Sequence, residues 1–245
     1  MTYVLCALAA LIGFGGAWSA RRNFFWSGGL LIGGVAAIAY AGATAGSEVA
    51  FKLYYTLGAS MLPGWIGAGS LQAAFSRRLS RWPSMSVLLL SAVQFGLTLP
   101  ADVNAAALRA LDGGNGAGVL VLGSWVVPTV LFNTFGLGFA AVAAFFAWWQ
   151  AFRVQEPQRA ALAIGLSLVV LGILARSDGV YKLMVQAGAG NIFMLADVVA
   201  FGLIWAGAAT SHRLPRPLRQ YPAILSSRGQ RGIRPRGADS SLRSE

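Results

Sequence analysis

Apolar residues along this chain gather into long runs that are broken by short polar stretches. Crossing a bilayer as a helix takes about 20 apolar residues. Seven segments meet that length, at roughly 2–20, 24–43, 49–75, 84–100, 128–151, 158–176 and 190–210. The third is long enough to require tilt or a kink, and Pro63 supplies a cause. The fifth is expected to start at Pro128, because proline suits the first turn of a helix. Residues 1–210 thus read as an all-α integral membrane bundle of seven transmembrane helices, and 211–245 as a basic cytoplasmic tail.

The breaks between runs set the orientation. "SARRN", "SRRLSRW" and "RVQEPQR" are short and basic, and the tail carries eight further arginines. On a seven-helix map fifteen Lys and Arg fall on one side, against Lys52, Arg109, Arg176 and Lys182 on the other. Cytoplasmic loops carry the positive excess, so the N-terminus is expected outside and the C-terminus inside. An odd number of spans is needed for so clean a separation. "GAWSA" before Arg21 looks like a signal-peptidase site, but its positive charges follow the apolar run instead of preceding it, so the first helix is expected to stay.

Composition agrees with this reading. The chain is 56% hydrophobic and 11% charged, and its mean hydropathy is +0.63. Soluble domains are about a quarter charged. A single cysteine, Cys6, excludes an internal disulfide. The single histidine, His212, lies in the tail, so no imidazole is available to hold a haem or metal among the helices. No cofactor is expected. The Gly29–Gly33 GxxxG and the "GFGGA" at 13–17 permit close helix packing or dimerisation. Trp148 and Trp149 before Arg153, and Trp82 beside Arg81, read as interface anchors.

Loop 101–127, with its "DGGNG" turn, is the one sizeable outer connection; it could lid a pocket or pack on helix ends. Its "GVLVLGSWVV" suits a short strand or a re-entrant stretch. The tail has eight Arg, four Pro and six Ser in 35 residues and reads as disordered. Its arginines suit anionic lipid or a cytoplasmic protein partner, and no motif points to specific nucleic acid. A homo-oligomer is compatible with the small-residue spacing.

Candidate chemistry is sparse. An Asp at the centre of a membrane helix costs about 2.5–3.5 kcal/mol on insertion scales and normally pairs or marks a site. Asp197 lies in the last run, about two turns from its outer end. Glu48 and Lys52 are spaced i, i+4 in the favourable order. Tyr54, Tyr55, Gln94 and Asn133 are able to hydrogen-bond between helices. Two readings stay open for Glu48, Lys52, Tyr54, Tyr55 and Asp197: an outward-facing ligand pocket, or a polar knot that fixes the third helix against the seventh. The sequence holds no phosphate-binding loop, zinc-protease helix, C-x-x-C or nucleophile elbow, and the last run has no lysine for a retinal Schiff base. An enzyme is not expected. "GSEVAFKLYYTLGA" is faintly echoed by "RSDGVYKLMVQAGA", a hint of repeated three-helix units.

The stretch "FKLYYTLGASMLPGWIGAGSLQAAFSRR" resembles the third helix of the seven-helix N-terminal sensor domain of bacterial histidine kinases. "TVLFNTFGLGFAAVAAFFAWW" and "LADVVAFGLIWAG" are similar to helices of stand-alone bacterial seven-helix membrane proteins of unknown function. The resemblance implies a sensing module in a bacterial inner membrane. Residues 211–245 hold neither a phospho-acceptor helix nor an ATP-binding domain, so its output would pass to a separate cytoplasmic protein. A small secondary transporter and an accessory subunit of a membrane complex are the competing expectations.

Overall fold

The computed structural model describes residues 2–74, 77–104, 108, 127–155, 157–175 and 190–210. Every regular element among them is helical: α1 (Thr2–Ser19), α2 (Phe24–Thr44), α3 (Glu48–Tyr54), a π-helical segment (Tyr55–Met61), α4 (Leu62–Ala74), α5 (Arg77–Thr98), α6 (Val127–Val154), α7 (Pro157–Ala175) and α8 (Gly190–Thr210). Among the described residues four stretches are long and apolar enough to cross a membrane: Thr2–Ser19, Phe24–Thr44, Thr129–Arg153 and Pro157–Leu174. Leu195–Gly207 is a shorter apolar helix. Most of the 101–127 loop with its strand-like stretch, the repeat echo at 176–189 and the tail lie outside the described residues.

Local chemistry sets the helix ends. The Asn23 side chain accepts from the Trp26 N–H at 3.2 Å and caps α2, while its Nδ2 donates to the Gly69 carbonyl. Gly46 follows α2 with φ +84°, the left-handed region where a Cβ is costly. Ser47 then caps α3 by accepting from the Ala50 N–H.

The long third run is one continuous helix with a wide turn inside it. Pro63 has no N–H, and its ring would press on the carbonyl of residue 59 in regular α geometry. The chain responds just upstream: over Tyr55–Met61 it takes π geometry, and the Leu62 N–H bonds to the Leu57 carbonyl, five residues back. α5 begins at Arg77, not near Ser84 as the apolar run implies. Pro83 lies inside it, and the arginine-rich first turns are helical because arginine is a good helix former.

Packing closes a ring in the order α1, α2, α3–α4, α6, α7, α8 and back to α1. α5 sits outside this ring, against α4, the π segment and α6. Glycines make the contacts close. A Cβ on Gly13 would lie 2.6 Å from the Gly34 Cα, and one on Gly136 would lie 2.6 Å from the Pro63 carbonyl carbon. Gly29 meets Ile66, and Gly33 meets Phe201, so the glycines of the expected GxxxG serve packing within the chain. Inside the ring Trp26, Leu30, Ile66, Ala143, Leu166 and Ile204 belong to one buried cluster.

Three tryptophans tie neighbouring helices by one device. The Trp26 indole N–H donates to Ser70 Oγ at 3.1 Å, Trp65 to Ser91 at 2.9 Å, and Trp148 to Ser167 at 3.1 Å. Each serine passes its own proton to the carbonyl four residues back, at Ile66, Val87 and Ala163. Trp148 therefore faces α7, and Trp149 is the residue that carries the Arg153 guanidinium over its ring at 4.5 Å. Arg21 lies over Trp18 in the same way, at 5.1 Å.

Candidate functional site: a buried polar junction at the π segment

α4, α5 and α6 meet at Gly64, where an added Cβ would touch the Phe132 ring at 2.8 Å and Val87 at 3.6 Å. Phe132 and Val87 are fully buried. The same three strips continue from this apolar floor toward the Lys52 end of the bundle. On the third helix they carry Ser60 and Thr56, on α5 Ser91, Gln94 and Thr98, and on α6 Thr129. These residues are buried; Thr56, Ser60 and Gln94 are each 0% exposed.

Gln94 organises the junction. Its Nε2 donates to Thr98 Oγ1 at 2.8 Å and to Thr129 Oγ1 at 3.2 Å. Tyr55, buried on the π segment and stacked with Phe51 at 6.2 Å, shares a side-chain hydrogen bond with Thr129. Three helices are thus joined through one threonine hydroxyl.

The accounting does not close. Thr56 Oγ1, Ser60 Oγ and Gln94 Oε1 are buried and have no hydrogen-bond partner. Buried polar groups without partners cost about 1–3 kcal/mol each, so they call for an explanation. Elsewhere in the bundle helical hydroxyls are satisfied locally: Ser84, Ser91, Thr134 and Ser167 each donate to the carbonyl four residues back, at 2.7–2.8 Å. Thr56 and Ser60, which lack such a partner, both stand on the π segment. Pro63 lies just past this turn, and Gln94 Oε1 on the adjoining α5 is likewise unmatched.

The sequence-predicted residues are distributed around this junction. The Lys52 Nζ donates to the Leu99 carbonyl at 3.1 Å, next to Thr98 at the end of α5, so it closes the junction from above. Glu48 is exposed in the first turn of α3, where the helix N-terminus favours a carboxylate. Tyr54 faces α2, its ring 4.9 Å from that of Tyr40. Tyr55 faces α6, so the adjacent tyrosines serve different neighbours. Asp197 is half-buried on α8, one turn before Phe201. α8 packs against α7 and α1 and also touches α2, the helix against which α3 packs. Asn133 is half-buried on α6.

Thr56, Ser60, Thr98 and Thr129 were not singled out from sequence. A signal was present: Glu48, Lys52, Thr56 and Ser60 recur every four residues, a polar stripe that descends an otherwise apolar helix to Pro63. Gln94 and Thr98 repeat that spacing on α5. Among the described residues no group of three or more His, Cys, Asp and Glu side chains is placed to hold a metal ion. No family model, curated protein or solved structure matches the chain.

Proposed function

We propose that this chain is a seven-span inner-membrane protein, N-terminus outside and tail inside, that acts as a non-enzymatic ligand-binding or sensing module and works through a separate cytoplasmic partner. One observation carries the reading: the junction at the π segment holds three buried polar atoms with no partner, on and beside a helix that widens at that level. A polar knot that served only to hold helices together would use up its hydrogen bonds, as the three Trp–Ser pairs do. π turns inside α-helices are often placed at functional sites.

The π turn in the third helix also supports a second reading, a small secondary transporter. Interrupted membrane helices expose polar backbone to substrates and coupling ions. The two readings separate on experiment. Purification from native membranes in mild detergent, with the tail intact and partners identified by mass spectrometry, should recover a stoichiometric cytoplasmic regulator if the module is a sensor. Deletion of 211–245 should then abolish output and leave ligand binding unchanged. A protein that purifies alone, and whose Asp197→Asn variant folds but loses substrate uptake, would establish transport instead.

A further inference from the structure

We propose that the end of α1 is a docking site for an anionic phospholipid, with Arg21 and Arg22 on the headgroup phosphate and the exposed face of α1 along an acyl chain; this holds whether the chain senses or transports. Contacts fix which helix ends lie together. Trp205, near the end of α8, packs on Gly15 and Gly16 near the end of α1, and Gly207 meets Leu162 near the start of α7. Arg159, at the start of α7, reaches Gln150 near the end of α6. Asn23, at the start of α2, reaches the Gly69 carbonyl near the end of α4, and Gln72 reaches Ser84 on α5. Arg21, Arg22, Arg81, Arg153 and Arg159 therefore share one end of the bundle, although they come from three separated parts of the chain. Among the described residues the carboxylates lie away from that end. Glu48 and Asp102 stand at the other end with Lys52, and Asp197 is eight residues before Trp205, about 12 Å down α8.

Arg21 is held in place without being used. Its guanidinium lies over the Trp18 ring at 5.1 Å. Arg21 and Arg22 are exposed, and neither has a hydrogen-bond or ion-pair partner among the described residues. Stacking on an indole fixes the guanidinium plane and leaves its edge N–H groups to bind a phosphate in bidentate fashion. Along the same helix Val4, Leu11, Phe14 and Trp18 are exposed, Trp18 at 73%. Spacings of seven, three and four put these four on one face. The strip is about 21 Å long, more than the roughly 15 Å of one leaflet's hydrocarbon. A soluble anion would use the arginines and leave the strip bare, whereas a phospholipid carries its phosphate directly above an acyl chain and meets both. A zwitterionic headgroup would bring its own ammonium to the arginines, so the anionic class is selected. Arg153 over Trp149, at 4.5 Å and in line with exposed Phe145 and Val142, repeats the arrangement on α6.

The test places the full chain in phosphatidylcholine nanodiscs that carry, at equal mole fraction, phosphatidylglycerol or phosphatidylcholine with a photoactivatable acyl chain. Labelled residues are mapped by mass spectrometry. Residues 4–18 should be labelled several-fold more by phosphatidylglycerol, at about fivefold per arginine engaged. Arg21→Gln/Arg22→Gln should bring that ratio close to one on α1 and leave it unchanged on other labelled segments. Rising salt should lower the ratio in the parent protein, a check that does not depend on the variant folding. Equal labelling of α1 by the two lipids in the parent would overturn the proposal. So would a phosphatidylglycerol excess on α1 that survives the double variant, which would assign the selectivity to arginines elsewhere, those of 211–245 included. A stoichiometric protein crosslinked to this face in native membranes, in place of lipid, would overturn it in favour of a protein surface.

Discussion

Trp65 and Ser91 are joined across α4 and α5 by a 2.9 Å hydrogen bond in which the serine is already committed, because its own proton goes to the Val87 carbonyl at 2.7 Å. The pair is asymmetric. Ser91→Ala strands a buried indole N–H and should cost about 1–3 kcal/mol. Trp65→Phe leaves Ser91 satisfied on Val87, so its cost should come from lost packing against Phe25 and the Gly28 face. Unfolding midpoints of the two single variants and the double variant in detergent measure the coupling. A double-variant loss equal to the sum of the single losses would show that the bond contributes nothing.

Backbone proximity makes the second prediction. Gly136→Ala would place a Cβ 2.6 Å from the Pro63 carbonyl carbon and 2.7 Å from the Gly64 nitrogen, atoms that cannot turn away. The α4–α6 seam should open, at about 1–3 kcal/mol. Gly138, two residues on, has nothing within 4 Å of the added carbon. Gly138→Ala should therefore gain up to about 1 kcal/mol from helix propensity alone. Opposite signs for two Gly→Ala changes within one turn are the expected result of a thermal-unfolding comparison.

How much of this was legible in the chain depends on the kind of pattern. Apolar runs between arginine clusters gave the helices, since the bilayer requirement is one of length and composition. The start of α5 was missed, because Pro83 invites a boundary that the arginine turns before it override. The polar residues split in the same way. Lys52 and Asp197 draw attention as charges, yet Thr56 and Ser60 read as ordinary helix hydroxyls, and only the structure shows them buried on a π turn without partners. That turn depends on how Pro63 is accommodated, and a wide turn, a kink and a break are equally compatible with one proline.

Restoring the missing donor tests that causal chain. Pro63→Ala keeps the Cβ and supplies an N–H, so the α ladder can close and return local acceptors to Thr56 and Ser60. The variant should be at least as stable as the parent, given that proline costs about 3 kcal/mol in a helix interior. Loss of stability would indicate that the π turn is imposed by the neighbouring helices.

Orientation is open to a labelling experiment. In a Cys6→Ser background, Asp102→Cys should react with a membrane-impermeant maleimide on intact cells, because Asp102 is exposed and falls on the side expected outside. Ser227→Cys should react only after permeabilisation. The reverse pattern would invert the proposed topology.

The seam between α1 and α8 sets a schedule. Trp205 lies on Gly15 and Gly16, so the ring shuts with a contact between helices nearly two hundred residues apart in the sequence. Long-range closure of this kind is the slow step of assembly. On the proposed topology α1 and α2 can pair at once during synthesis, while the α8-facing groove of α1 stays open until α8 is made. A nascent chain stalled before α8 therefore leaves a glycine-lined groove on α1 uncovered, the signature of an unfinished molecule.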